Sequence, residues 1–498
     1  MSDATQSAAP RRVLRLRDVV LFNLVAVLGL RWLATAARAG PGTLVLWVLA
    51  AALFFVPQGL VVLALSARYP SEGGIYTWTR ETLGEGHGFL CGWCYWINNV
   101  LFYPNLLIST AVIATWAIGR GESGLADNRT YVLSATLIAL WAAVAVNVIG
   151  TGRGKWLQNI GALGTYLPAV MLIALGGVAV FHGSPATPIT RASLTPNLSS
   201  LATLNLWATI AFAFAGLELS SSMGDEVQDA ARTMPRAVII AAPLIALAYI
   251  LGSGAMLWLV PSDHVNLAAG FIQGVSVGAT RISPGLGWLA AAAAAMYTIG
   301  NLGGVGAWLV GPARVAFVIG LDRYFPRAFG KLHPRYGTPY IAMIVPAVLA
   351  SVLLVISLLG KGTTVERAYL VLLDTNILLY FIPYLYLFLI FLLQFAVGTR
   401  ATANAAILSS AARDAYARLP GGRLTAFVFG MCGLLMTAFA MILAGIPPEG
   451  GEQALLFLAK VVGGTTVFLL IGGVIYWRGR AAARQRRAEL NASPVIDG

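Results

Sequence analysis

The chain alternates long apolar runs with short polar connections. A helix needs about 20 mostly apolar residues to cross a bilayer. Runs of that kind lie at 18–40, 44–66, 87–118, 131–149, 157–181, 203–225, 236–260, 285–319, 340–360, 367–397, 422–445 and 453–477. The pattern predicts an all-α integral membrane protein with about twelve transmembrane helices. Composition agrees: 58% of residues are hydrophobic and 11% are charged, whereas soluble domains carry about a quarter charged residues. The N-terminus imitates a secretory signal, with "RRVLRLR" before an apolar stretch and small residues in "LATAARAG". Arg31 interrupts that stretch and a second long run follows at once, so the segment is read as an uncleaved first helix.

Twelve crossings put both termini on one side. The tails and the connections on their side hold twenty-three Lys and Arg, the opposite connections six. Cytoplasmic loops collect Lys and Arg, so both termini are expected in the cytoplasm. The net charge of +13 is then spread over short loops and predicts no nucleic-acid partner. Cys91 and Cys94 form "CGWC", the spacing of a redox pair, but inside an apolar run they read as small packing residues. Cys432 reads as filler. His87, His182, His264 and His333 all fall at predicted span ends. No metal site, cofactor or catalytic residue is predicted, and no phosphate-binding loop is present to power a pump.

Two runs contain a glycine beside a charge. The first holds Gly29 and Arg31 in "NLVAVLGLRWLATAARAGPG", and the sixth holds Gly216 and Glu218 in "FAGLELSSSMGDEV". A charge at membrane depth costs roughly 2.5–3.5 kcal/mol on insertion scales, and a broken helix is tolerated there only beside protein or a cavity. Both features point to a site. Gly303, Gly304 and Gly306 in the eighth run read instead as packing glycines. The two irregular runs are five apart, and an odd number of crossings inverts the second unit. The expected architecture is a five-plus-five inverted repeat with broken helices 1 and 6 and a midplane site, plus two extra helices. Its boundaries are a tail 1–17, repeats 18–181 and 203–397, helices 11 and 12 at 422–477, and a basic tail 478–498.

Several motifs in order carry a family resemblance: "YPSEGGIYTWTRETLGEGHGFLCGW", "GLELSSSMGDEVQDAARTMPRA", "VNLAAGFIQ", "WLVGPARVAFVIGLDRYFPRAFGKLHPRYGTPY" and "LPGGRLTAFVFGMCGLL". The chain resembles the amino acid permeases of the amino acid, polyamine and organocation superfamily, and within it the glutamate/GABA antiporters. The resemblance implies a site between the first, third, sixth, eighth and tenth helices. Its residues would be Ala26, Val27, Leu28, Gly29 and Arg31 of the first helix, Phe212, Phe214, Gly216 and Glu218 of the sixth, and Trp308 of the eighth. Phe212 and Phe214 fall where aromatic gates occur, and Glu218 matches a glutamate linked to gating or protonation. Trp93, Tyr95 and Trp96 are candidate cavity aromatics, with lipid-belt or packing roles as the alternative. Many relatives hold the substrate carboxylate on a Gly-x-Gly of the first helix. Ala26, Val27 and Leu28 stand there instead, leaving the N–H groups at the start of the second half of helix 6 for that role.

The expected function is a secondary active transporter of amino acids or related amines in the inner membrane. It works by alternating access, as proton-coupled symport or exchange, with a proton or counter-substrate as partner. A membrane-embedded enzyme, a sensor on the same scaffold and a carrier of polyamines are the alternatives. Glu218 is expected to face the cavity and take the coupling proton, because the neutral acid costs less to bury than its anion. Arg31 has three readings: an outer gate with Asp374 of the tenth helix, a direct ligand of a substrate carboxylate, or an arm reaching the headgroups. Substrate identity, coupling ion and oligomeric state stay open.

Overall fold

The computed structural model describes residues 12–69, 73–197, 199, 201–267, 269–359, 365–396, 422–447 and 452–492. Arg11, Lys361, Arg400, Arg413 and Arg418 of the charge pattern, and the "PSE" of the loop after the second run, lie outside them. Among the described residues, eleven helices are long and apolar enough to cross a membrane. A twelfth span is the pair Leu16–Val27 and Arg31–Arg38, bent by 40°. These match the twelve apolar runs one for one. The described chain is all-α, its one strand-like contact being a bridge between Leu14 and Val227. The two irregular spans are the first and the sixth of the twelve, five apart as the sequence pattern has them.

The break in the first span covers Leu28 to Leu30. Gly29 lies in the break, where a Cβ would stand 2.8 Å from Trp32 Nε1. The sixth span stops as an α-helix at Ala213 and resumes at Leu217 as a tighter 3₁₀ winding to Glu226. Gly216 sits at φ +127°, a backbone that L side chains resist. The three serines explain the tight winding that follows. Hydroxyls of Ser220, Ser221 and Ser222 donate to the carbonyls of Leu217, Glu218 and Leu219, each three residues back, which is the 3₁₀ register.

The second span widens into a π turn at Ala51–Phe55. Pro57 lacks the N–H that would bond to Leu53, and the Cys432 thiol donates to that carbonyl instead, at 3.2 Å. Cys432 thus has a partner that its sequence context did not suggest. Cys91 and Cys94 are free and buried, as packing residues are. Gly303 is a close-packing residue: a Cβ there would come within 2.6 Å of Gly161 Cα in the fifth span. Gly304 instead lines the central cavity.

Candidate functional site

The two breaks meet at a small cavity of about 30 Å³. Ala26, Val27, Leu28, Gly29 and Arg31 line it from the first span, and Phe212, Ala213 and Ala215 from the sixth. Phe102 of the third span, Thr165 of the fifth, Asn301 and Trp308 of the eighth and Tyr380 of the tenth complete the wall. Trp308 is fixed by its Nε1–H, which donates to the Ala26 carbonyl at 3.0 Å. It packs on Phe102 with ring centroids 4.7 Å apart and on Tyr380 at 5.3 Å. Phe212 stands edge-on to Trp32 and to Tyr380, 5.8 Å from each. Gly216 lies just behind this wall, where a Cβ would meet Val27 Cγ2 at 3.2 Å and Trp308 Cζ2 at 3.4 Å.

Broken helices leave backbone groups unpaired in a medium that offers no water. Three tyrosines repair them here. The Tyr249 hydroxyl of the seventh span accepts from Gly29 N–H at 3.0 Å. It shares its own proton between the carbonyls of Val27, 2.7 Å away, and Ala213, 3.0 Å away, so one phenol joins both breaks. Tyr297 of the eighth span accepts from Arg31 N–H at 3.1 Å. Tyr384 of the tenth accepts from Gly216 N–H at 2.7 Å. Of the N–H groups expected at the start of the second half of helix 6, the one just before it, that of Gly216, is therefore already engaged.

Glu218 does not line the cavity, contrary to the expectation that it faces it. It is 1% exposed and drawn back among donors from three spans. Oε1 accepts from Tyr95 at 3.1 Å and Tyr380 at 2.5 Å, and Oε2 from Gln58 at 3.2 Å and Tyr384 at 2.5 Å. Four donors fill the acceptor sites of one carboxylate. Its link to the cavity is Tyr380, whose ring lines the wall. Phe214 also turns away from the cavity and packs in the core against Trp47, Phe55 and Tyr249. Of the third-span aromatics, only Tyr95 reaches this network. Trp93 and Trp96 bond to the carbonyls of Phe468 and Ala342 and serve packing.

Arg31 is 4% exposed and makes no ion pair with Asp374 in this structure; an outer gate would pair them only when the site is closed to the outside, and the buried Arg314–Glu226 pair here lies at the end that carries the N-terminus. Its guanidinium carbon stands 4.2 Å over the Trp32 ring and 5.9 Å from that of Phe102, and these aromatic faces hold it at the cavity. Asp374 is half-buried and has no bonded partner among the described residues. Asn301 is 4% exposed and its Nδ2 has no hydrogen-bond partner.

The end of the bundle that carries the N-terminus is closed. Arg314 of the eighth span pairs with Glu226, the last residue of the sixth, with both side chains 4% exposed. Leu14 N–H donates to the Glu226 carbonyl and Gln228 N–H to that of Leu14. Lys155 of the fifth span holds the Val13 carbonyl, and Asn159 holds Asp18.

A site between two broken helices five spans apart is a transporter's geometry, and the sequence profile of the amino acid permease family matches residues 16–466. The chain belongs to the amino acid permease family. Among relatives of this permease, an uncharacterized transporter of Legionella pneumophila is 30% identical over 93% of the chain and 96% of its own length. A glutamate/gamma-aminobutyrate antiporter of Lactococcus lactis is 23% identical over 80% of the chain and 76% of its own. A probable agmatine/putrescine antiporter of the same organism is 24% identical over 65% of the chain and 68% of its own. The family and these relatives are transporters, which sets aside the membrane-enzyme reading.

Proposed function

We propose that this permease carries amino acids or closely related amines across the inner membrane by alternating access, with both termini in the cytoplasm. The observation that carries this reading is the cavity at the two breaks, walled by Trp308, Phe212 and Tyr380 and joined through Tyr380 to the buried carboxylate of Glu218. Substrate binds at the cavity, whose walls part to admit it, and Glu218 exchanges a proton as the cycle turns. When Glu218 takes the proton, one of the four donors must turn away. The Tyr380 hydroxyl is the one whose ring substrate touches, so substrate and proton act on the same group. The antiporter relatives favour exchange as the transport mode. The excess of Lys and Arg on the N-terminal side supports the orientation. On this assignment the Arg314–Glu226 seal closes the cytoplasmic path.

Purified protein in proteoliposomes tests the reading. Vesicles loaded with an unlabelled amino acid are expected to take up the labelled one in counterflow. Uptake should depend on pH in the parent and lose that dependence in Glu218→Gln. Counterflow with no member of a full amino acid and amine panel contradicts transport. An unchanged pH profile in the Gln variant contradicts the role of Glu218 alone.

A further inference from the structure

We infer that Arg31 is the carboxylate-recognising group of the central cavity, so the permease takes carboxylate-bearing substrates and refuses diamines. This rests on the cavity's being the substrate site. Three observations lead there.

The first is an unanswered charge. Arg31 lines the cavity at 4% exposure, and its Nε has no hydrogen-bond partner. No carboxylate of the described residues lies within ion-pair distance of it. A buried cation without a counter-ion costs several kcal/mol. The faces of Trp32 and Phe102, 4.2 and 5.9 Å away, offset part of that. They offer no acceptors for the five guanidinium N–H donors. An anion entering the cavity supplies both missing terms, charge and acceptors, and a planar fork matches a carboxylate at two points.

The second is that three amides able to compete for that role are engaged. The amides of Gly29, Arg31 and Gly216, where a broken-helix site would grip an anion, donate to Tyr249, Tyr297 and Tyr384. Recognition passes from backbone to side chain. The free donor nearest in kind is Asn301 Nδ2, on the same cavity wall.

The third concerns the opposite charge. Glu218 does not line the cavity, and its oxygens are occupied by Tyr95, Tyr380, Tyr384 and Gln58. Among the described residues no acidic side chain lines the cavity. A single ammonium can rest on the faces of Trp308, Phe212 and Tyr380. A diamine brings two cations to a wall that already carries Arg31 and lacks a carboxylate.

The test is a thermal-shift panel on the purified full-length protein in detergent, since a ligand of the folded state raises its apparent stability. The panel holds the twenty amino acids, 4-aminobutyrate, putrescine, cadaverine and agmatine. At least one carboxylate-bearing compound should raise the midpoint, and none of the three carboxylate-free amines should. Arg31→Gln should raise the half-saturating concentration of the responding compound by 100-fold or more. Arg31→Lys keeps the charge and the stem but loses the fork, and should raise it about 10-fold. If the Gln variant does not fold, the Lys variant decides alone. A response to the amines only, no response at all, or a half-saturation within two-fold of the parent in whichever variant folds overturns the inference. Binding that depends on Arg31 without counterflow in proteoliposomes would refute transport and leave this inference standing. Counterflow that ignores Arg31 would do the reverse.

Discussion

The Tyr380 hydroxyl lies 2.5 Å from Glu218 Oε1, and the ring that bears it forms part of the cavity wall. The carboxylate and the substrate space are thus separated by one side chain. Tyr380→Phe keeps the ring and removes the donor. A hydrogen bond to a charged group contributes about 1.5–3 kcal/mol, so if the contact is broken and remade during turnover, transport should fall roughly 10- to 100-fold. The pH profile should also move, whereas binding of substrate to the wall should change little. Uptake measured across pH in proteoliposomes checks this. A variant with parental rate and parental profile would show that Tyr380 does not relay between the two.

Tyr249 makes a second prediction. Its hydroxyl serves Gly29 N–H and the carbonyls of Val27 and Ala213, while its ring stacks on Trp47 with centroids 4.5 Å apart. Tyr249→Phe preserves the stack and leaves buried backbone groups of both breaks unpaired. Each such group costs about 1–3 kcal/mol. The midpoint of thermal unfolding should drop by several degrees, more than for a phenol-to-phenyl change at a tyrosine without backbone partners.

The sixth-span break supplies a third. Gly216→Ala forces a side chain onto φ +127° and brings its Cβ to 3.2 Å from Val27 Cγ2. Backbone strain of this kind costs about 1–3 kcal/mol, and the displaced neighbours are cavity residues. The variant should fold with reduced stability and lose most of its transport. Full activity in counterflow would mean that the break does not need its left-handed glycine.

The breaks were legible because each joins two local signals, a glycine and a nearby charge, in one apolar run. The twelve spans were legible for the same local reason. The tyrosine network was not. Tyr249, Tyr297, Tyr380 and Tyr384 sit in runs such as "IPYLYLF", where an aromatic reads equally as packing, and each meets its partner across the bundle. Glu218 and Tyr384 are 166 residues apart in the chain. Gln58 did carry a signal, a polar side chain inside "FFVPQGLVVLAL", of the kind that faces a bundle interior. Asn301 in "TIGNLGG" carried the same one. The direction of Glu218 was misread because a carboxylate at a break meets a cavity only if nothing nearby outbids it for hydrogen bonds. Four donors from the second, third and tenth spans do so here. Arg31 kept three readings in the sequence because its depth alone suits all of them; its aromatic neighbours add that the guanidinium stands at the cavity.

The last prediction concerns the sealed end. Arg314 and Glu226 are ion-paired with side chains 4% exposed, and the N-terminal segment closes over them through the Leu14–Val227 bridge. Removing one member of a buried pair strands the other charge, at a cost of about 3–5 kcal/mol. Replacing both by apolar residues of similar volume removes that penalty and is often neutral. Arg314→Met and Glu226→Leu should therefore each lower the unfolding midpoint sharply, and the double variant should recover much of the loss. Function separates the pair's two roles. The alternating-access cycle proposed above requires this end to open, which would part the sixth span from the eighth. A charged pair can exchange its partner for water when it separates, whereas two apolar side chains expose themselves to it. The double variant is expected to be stable and slow in exchange. If it is stable and turns over at the parental rate, the pair holds the fold without gating it. If each single variant unfolds at the parental midpoint, the pair contributes nothing to closure.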